Sequence, residues 1–309
     1  MDKNLKISII IPTYNRKNLF ELALKSALAQ DYENKEIVIT DDNSNDGTSE
    51  LAKEYEAKFE CVKYFTNQTY ERGPNGNKNN GFDKSSGDAF VILDDDDLLL
   101  EGAISKMVNV LNLGYHSVWA NCYYEINGEK TEKFSGFGLE KSQEINKQDY
   151  YDGKIRGEFL VMFRREAIGD RRFEKGLYGS ENTLWIYLFD FPAYYLHEAV
   201  RIYRFQRDDS VTTNALKRPL SIMKGYALMA DLLIKKAPQT DPNRIAILYK
   251  TAAYYAKMGG EYKKMYQFIL KSLRAKPTKE ALAMLALSPF PRSLIISLSK
   301  FRLWLKGSA

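Results

Sequence analysis

The chain is short of the side chains that build stapled or metal-clustered folds. Its 309 residues include only two cysteines and two histidines. Cys61 and Cys122 stand far apart, so neither a disulfide framework nor a zinc-ligand spacing is present, and the pattern fits a reducing compartment. His116 and His197 are isolated on strand-like segments and read as structural. No run of 18 apolar residues occurs, so no transmembrane helix is expected. The opening "MDKNLKISIIIPTYN" has only a short apolar run before Pro12, so no signal peptide is expected. Phosphate loops of the forms G-x-G-x-x-G and G-x-x-x-x-G-K-[ST] are also missing. "GPNGNKNNG" (73–81) matches neither, which leaves a dinucleotide fold or a P-loop unsupported, although its Asn and Lys side chains can still meet phosphates.

Acidic residues are scarce in one part of the chain only. Residues 211–309 hold 18 Lys and Arg against 4 Asp and Glu, a balance of +14, while residues 1–210 stand at −9. Such a split implies two regions with different partners. Basic regions meet nucleic acid or anionic membrane; cation sites need acidic surroundings. The tail 285–309 is apolar, carries a Trp and has no acidic residue, which suits an anionic membrane surface. A solvated helical bundle explains residues 215–280 equally well.

Short apolar, β-branched runs at 6–12, 35–40, 61–65, 88–93 and 116–126 read as buried strands. Helices are expected at 18–30, with Leu19, Leu22, Ala23 and Ala27 on one face, at 49–59 and at 101–112. Alternation of this kind gives an α/β fold with a mostly parallel sheet and helices on both faces. Ligands of such sheets bind outside the carboxyl ends of the strands, so the loops at 12–16, 41–48 and 94–97 should line one crevice. Residues 68–81 read as a long polar loop and 127–143 as a mobile flap. A strand and short helix are expected over 157–169, a loop then a helix over 179–190, and a final strand with an exit loop over 199–214. The remainder is helical, including two helices around Gly259-Gly260.

"LDDDD" places Asp94, Asp95, Asp96 and Asp97 at one strand end. Four adjacent carboxylates repel one another, and a divalent cation would relieve that. On an extended chain Asp94 and Asp96 point one way, Asp95 and Asp97 the other. An Asp-x-Asp pair can hold a metal and a nucleotide's ribose or phosphates. The plainer alternative is a solvated turn that caps the next helix. "TDDNSNDGT" imitates an EF-hand start, but Lys53 stands at the twelfth position and a strand precedes it, so calcium is rejected. Asp42 could accept from a uracil N–H or ribose hydroxyls; the loop also caps a helix. Glu181 in "GSENTLW" is a candidate general base, or simply a helix N-terminal acid.

In order, "SIIIPTYNR", "EIVITDDNSNDGT", "NKNNGFDKSSGDAFVILDDDD", "FRREAIG", "GSENTLW" and "YRFQRDDSVT" resemble family 2 glycosyltransferases with the GT-A fold, over residues 5–212. The resemblance implies inverting transfer from a nucleotide sugar with Mg²⁺ or Mn²⁺. It places Pro12, Thr13, Tyr14, Arg16, Asp42, Asn79, Asp94, Asp95, Asp96 and Arg207 at the nucleotide sugar and Asp96 and Asp97 at the metal. Of the four, Asp95 is expected to be replaceable. Lys78 stands where the family's R-N-x-G loop has Arg. Glu181 falls at the family's Glu-Asp pair, but Asn182 replaces the second acid, so Glu181 or another residue must serve as base. Near the family's "YR-x-H" there is Gln206 or Arg207, and Arg204 and Arg207 could bind diphosphate.

A narrower resemblance covers nearly the whole chain. "RGPNGNKNNG", "FSGFGLEK", "RIYRFQRDDSVT" and "AAYYAKM" look like the branch glucosyltransferases of bacterial protein N-glycosylation. This implies a UDP-glucose donor, an undecaprenyl-diphosphate-linked oligosaccharide acceptor and the cytoplasmic membrane face. The expected organisation is a GT-A catalytic domain over 1–214 and an α-helical, basic C-terminal region over 215–309. Nucleic acid is not expected as a partner. Other readings are a transferase of capsule, lipopolysaccharide or O-antigen synthesis, and an inactive nucleotide-sugar-binding protein. A nucleotidyltransferase would need a Gly- and Arg-rich loop near residue 12, which "PTYNR" does not supply.

Overall fold

The computed structural model describes residues 4–126, 128–204 and 215–294. The chain divides into two compact units, Met1–Thr213 and Asn214–Ala309.

The first unit opens as the apolar runs dictate. Strand β1 (Ile7–Thr13) is buried along its whole length, as a strand covered on both faces must be. Helix α1 (Lys17–Leu28), β2 (Lys35–Asp41), α2 (Thr48–Lys58) and β3 (Val62–Thr66) follow. The buried stripe of α1 is Phe20, Ala23, Leu24 and Ala27, the i, i+3, i+4, i+7 pattern. Leu22, expected on that face, is exposed, because it lies two positions from Phe20 and so on another side of the helix. The chain continues through α3 (Pro74–Lys84), β4 (Ala89–Ile92), β5 (Leu98–Leu99) and α4 (Ala103–Leu111).

Strand β6 (Ser117–Ile126) pairs antiparallel with β7 (Glu129–Phe134), so the expected flap begins as a hairpin. Next come β8 (Gly136–Phe137), β9 (Gln143–Glu144), α5 (Lys147–Tyr151), β10 (Arg156–Gly157) and β11 (Leu160–Arg164). After α6 (Arg165–Ile168) and the one-turn α7 (Asn182–Trp185), β12 (Ala193–Arg204) closes the described part of the unit. The exit loop with Gln206 and Arg207 lies outside the described residues.

The main sheet runs in the order β3-β2-β1-β4-β11-β6-β12-β5. Strands β3, β2, β1 and β4 are mutually parallel, and β12 is parallel to β6. Strand β11 runs antiparallel between β4 and β6. One core cluster joins Ile7, Ile9 and Ile11 of β1 to Ala23 and Leu24 of α1 and to Ile104 and Met107 of α4. Another cluster is aromatic: Phe82 packs on Phe90, Phe163 and Phe173, and Trp185 on Phe163 and Phe173. The order reverses beside β1, so the carboxyl ends of β1, β2 and β4 open on one crevice.

The second unit is helical: α8 (Pro219–Lys236), α9 (Pro242–Met258), α10 (Tyr262–Ala275) and α11 (Lys279–Ala286). Met223, Ala253, Ala256, Met265, Ile269 and Met284 form its core. Lys257 is fully buried, yet its ammonium donates to the carbonyls of Leu287, Ser288 and Phe290, so no donor is stranded. Among the described residues no helix is long and apolar enough to cross a membrane.

Candidate active site

The four aspartates do not continue as a strand. Asp97 N–H donates to Asp94 O at 3.0 Å, which closes a turn at the end of β4. The alternation expected of extended chain therefore fails as geometry, although exposure still alternates: Asp95 and Asp97 are buried, Asp94 and Asp96 less so. What faces the carboxylates is a ring of cations. Arg16 Nη1 donates to Asp95 Oδ1 at 2.8 Å and to Asp96 Oδ2 at 3.0 Å. Lys78 Nζ stands 3.1 Å from Asp94 Oδ1, and Arg201 Nη1 stands 3.1 Å from Asp97 Oδ2.

Each cation is positioned by its element. Lys78 projects from α3 and is 4% exposed. Its ammonium also donates to Glu181 Oε1 at 3.0 Å, so it joins the expected base to the Asp turn. Burial alone would push this ammonium's pKa down; Asp94 and Glu181 reverse that and raise it. Asp94 shows the reciprocal effect. Burial pushes its carboxyl up, and Lys78 and Arg201 bring it below the usual carboxylate range.

Asp95 is anchored through both of its oxygens. Besides Arg16 it accepts from Thr13 Oγ1 at 2.8 Å, which ties the end of β1 to the end of β4. Burial pushes its carboxyl up to about 7 against the pull of Arg16. Asp95, expected to be the replaceable one of the four, is the one whose two oxygens tie Thr13 to Arg16. Asp97, expected at a metal, is 1% exposed and turned inward. It faces Arg201 and accepts from Arg204 N–H at 3.1 Å. Burial raises its carboxyl well above the ordinary value, ahead of the opposing pull of Arg201.

Helix α3 organises the other wall. It was expected as loop, because Asn and Gly disfavour helices in isolation. Here Asn75, Asn77, Asn79 and Asn80 are all buried with their amides bonded. Asn77 donates to the carbonyls of Thr13 and Thr40, and Asn80 donates to Thr40 Oγ1. Asn75 exchanges two hydrogen bonds with Gly179, which fixes the loop carrying Glu181. Asn79, expected at the nucleotide, exchanges two with the backbone of Phe173. Its amide is thereby directed into the protein, and its task is to hold the 170s loop. The readable signal was Gly73-Pro74, a helix start with Pro in the first turn.

Asp42 sits at the crevice end of β2. Its oxygens accept from Asn67 Nδ2 and Gly73 N–H, both at 2.7 Å. Burial raises its carboxyl, and those two hydrogen bonds pull it back. Each oxygen retains a further lone pair. Tyr14 is half exposed, Pro12 is buried within β1, and Arg16 lies between them in exposure. Arg201 escaped the sequence reading. Its signal is a charged residue within the apolar strand "AVRIYR", which implies a buried acid opposite. Neither histidine takes part: His116 pairs with Glu166, and His197 meets Tyr195.

Among the described residues no three His, Cys, Asp or Glu side chains stand ready as a metal site. The donor chemistry of the turn still suits a divalent cation, because Mg²⁺ and Mn²⁺ take carboxylate oxygens. Asp94 and Asp96, the two partly exposed carboxylates of the turn, are the ones such a cation could reach.

Comparison with known proteins bears on the family and the fold. The model of the family described as glycosyl transferase family 2 matches residues 8–172. A Campylobacter jejuni protein, the GalNAc(5)-diNAcBac-PP-undecaprenol beta-1,3-glucosyltransferase, is 43% identical over 301 residues, covering 96% of this chain and 97% of that one. The putative glycosyltransferase EpsE of Bacillus subtilis is 27% identical over 71% of this chain and 77% of its own. Among solved structures, S. aureus TarS 1-349 in complex with UDP-GlcNAc superposes with a TM-score of 0.67 at 18% identity, over 92% of this chain and 85% of that one. A mannosyltransferase from Pyrobaculum calidifontis in complex with GDP-Man and Mn²⁺ gives 0.53 at 17% identity, over 93% and 87%.

Proposed function

The chain belongs to glycosyl transferase family 2, with the GT-A fold, and on that premise we propose that it moves glucose from UDP-glucose, in β-linkage, onto a GalNAc of an undecaprenyl-diphosphate-linked oligosaccharide. It is a glycosyltransferase; the donor and acceptor are the proposal. The observation that carries them is the end-to-end match at 43% identity with a relative whose name states that reaction. The match spans the helical unit as well as the catalytic one, so it extends beyond shared fold.

The nucleotide enters at the carboxyl ends of β1 and β2. Pro12, Thr13 and Tyr14 line it, Arg16 meets phosphate, and Asp42 accepts from the base. Asp94 and Asp96 face the ribose and diphosphate, and Asp95 holds their turn in shape through Thr13 and Arg16. Asp96 would hold Mg²⁺ or Mn²⁺, which would supply charge neutralisation at the UDP leaving group. Glu181 accepts the proton of the acceptor hydroxyl as that oxygen attacks the anomeric carbon from the face opposite UDP. Lys78 keeps Glu181 and Asp94 in register. Arg204 stands at the edge of the crevice, ion-paired with Glu125.

The basic unit supports an anionic membrane surface as the acceptor's setting. Helix α10 exposes Tyr262, Tyr266 and Leu270 along one edge, with Lys263 and Arg274 on the adjoining arc. The apolar basic tail follows in sequence. Together they suit the inner face of the cytoplasmic membrane.

Glu181→Gln tests the chemistry. It should abolish transfer while UDP binding, measured by calorimetry, stays within about twofold. Undiminished turnover would remove Glu181 as the base.

A further inference from the structure

Glu158 has no part in the machinery above, yet it faces the same crevice. It lies just before β11, pinned by its backbone. Its N–H donates to Ser135 O at 3.2 Å, and its carbonyl accepts from Ser135 Oγ at 2.7 Å. The side chain is 52% exposed. Glu181, Asp94 and Lys78 all lie within electrostatic reach of it. A carboxylate held by its backbone, half open to solvent and 3.7 Å from the buried Arg201, which itself faces the Asp turn, is placed for a ligand.

Opposite stands Arg201 of β12, almost wholly buried. Its Nη1 faces Asp97, and its Nε donates to Cys122 Sγ at 3.2 Å. The third nitrogen, Nη2, is buried and has no hydrogen-bond partner among the described residues. Glu158 Oε2 stands 3.7 Å away, too far for a direct hydrogen bond. A buried guanidinium donor without an acceptor is costly unless something polar comes to it. Tyr203, whose ring the guanidinium overlies, adds an apolar face beside the pair.

We infer that Glu158 and the Nη2 edge of Arg201 form the acceptor-sugar subsite, where neighbouring ring hydroxyls donate to the carboxylate and accept from the guanidinium. A sugar hydroxyl is both donor and acceptor, so adjacent hydroxyls satisfy both groups at once. The location agrees. The nucleotide loops leave β1 and β2, whereas Glu158 and Arg201 come from β11 and β12, on the other side of β4 and its Asp turn. Donor and acceptor thus approach Glu181 from opposite flanks. Desolvation by the surrounding crevice wall raises the Glu158 carboxyl, and Arg201 opposes that rise.

The inference rests on the glycosyl-transfer reading, and the wild-type reaction with UDP-glucose, Mn²⁺ and a GalNAc-terminated lipid-linked acceptor checks that reading separately. Glu158→Gln should raise the acceptor KM on the order of tenfold or more, while UDP-glucose binding and its slow hydrolysis without acceptor stay within about twofold. Acceptor analogues with single ring hydroxyls replaced by hydrogen supply a second measurement. One deoxy analogue should be penalised by the wild type and not by Glu158→Gln. An unchanged acceptor KM, additive penalties for every analogue, or an equal loss of UDP-glucose binding would overturn the subsite. No transfer by the wild type would overturn the functional reading as well.

Discussion

Lys78 stands where the family's R-N-x-G loop carries arginine, and its surroundings explain why a cation is required. A buried ammonium between Asp94 and Glu181 holds two carboxylates that would otherwise repel. Removing one partner of a buried charge cluster costs more than the net worth of the pair. Lys78→Met should therefore lower stability by about 1–3 kcal/mol, at the low end because both acids are partly solvated, and should reduce transfer at least tenfold. Lys78→Arg, which restores the family's residue, should retain most of the activity. Thermal unfolding and initial rates measure both. Asp97 and Asp95 teach the complementary lesson. Their numbers in the run "DDDD" say nothing about which cation each will meet, since Arg201 comes from more than one hundred residues away.

Elements were legible where burial wrote a simple pattern. The apolar runs of β1, β2 and β4 needed no partner to be read, and the Asp run at the end of β4 marked the crevice edge. Helix α3 was not legible, because its buried face is polar. Its asparagines match carbonyls of β1, β2 and two distant loops, and such matches appear only once those segments are adjacent. The helix also lies close against β1. A Cβ added at Gly81 would fall 2.3 Å from Ile10 Cγ2. Gly81→Ala should cost about 1–3 kcal/mol of stability despite the better helix former, because the overlap outweighs a propensity gain of roughly 1 kcal/mol. Denaturant unfolding checks this, and a more stable variant would show that α3 does not press on the strand. Strand β12 lies between these cases: its run was readable from 199, but the pairing that brings Arg201 to Asp97 and Glu158 was not.

On the scale of the whole molecule, the chain joins an acidic catalytic unit to a basic helical one. The charge split was visible in composition, since it needs no three-dimensional information. The exposed edge of α10 was not, because helical periodicity marks Tyr262, Tyr266 and Leu270 as apolar without saying whether a neighbour covers them. The membrane reading predicts that the full chain sediments with vesicles rich in phosphatidylglycerol and much less with pure phosphatidylcholine. The difference should shrink as salt rises, and equal binding to both would remove the electrostatic part of the account.

The most direct measurement is a donor comparison on the lipid-linked acceptor. UDP-glucose, UDP-galactose, UDP-GlcNAc and UDP-GalNAc are each supplied with Mn²⁺ and a GalNAc-terminated undecaprenyl-diphosphate oligosaccharide, and mass spectrometry and NMR read the product lipid. The account predicts one added hexose, in β-linkage, from UDP-glucose in clear preference to the others. Addition of an N-acetylhexosamine, an α-linkage, or no transfer from UDP-glucose would contradict it.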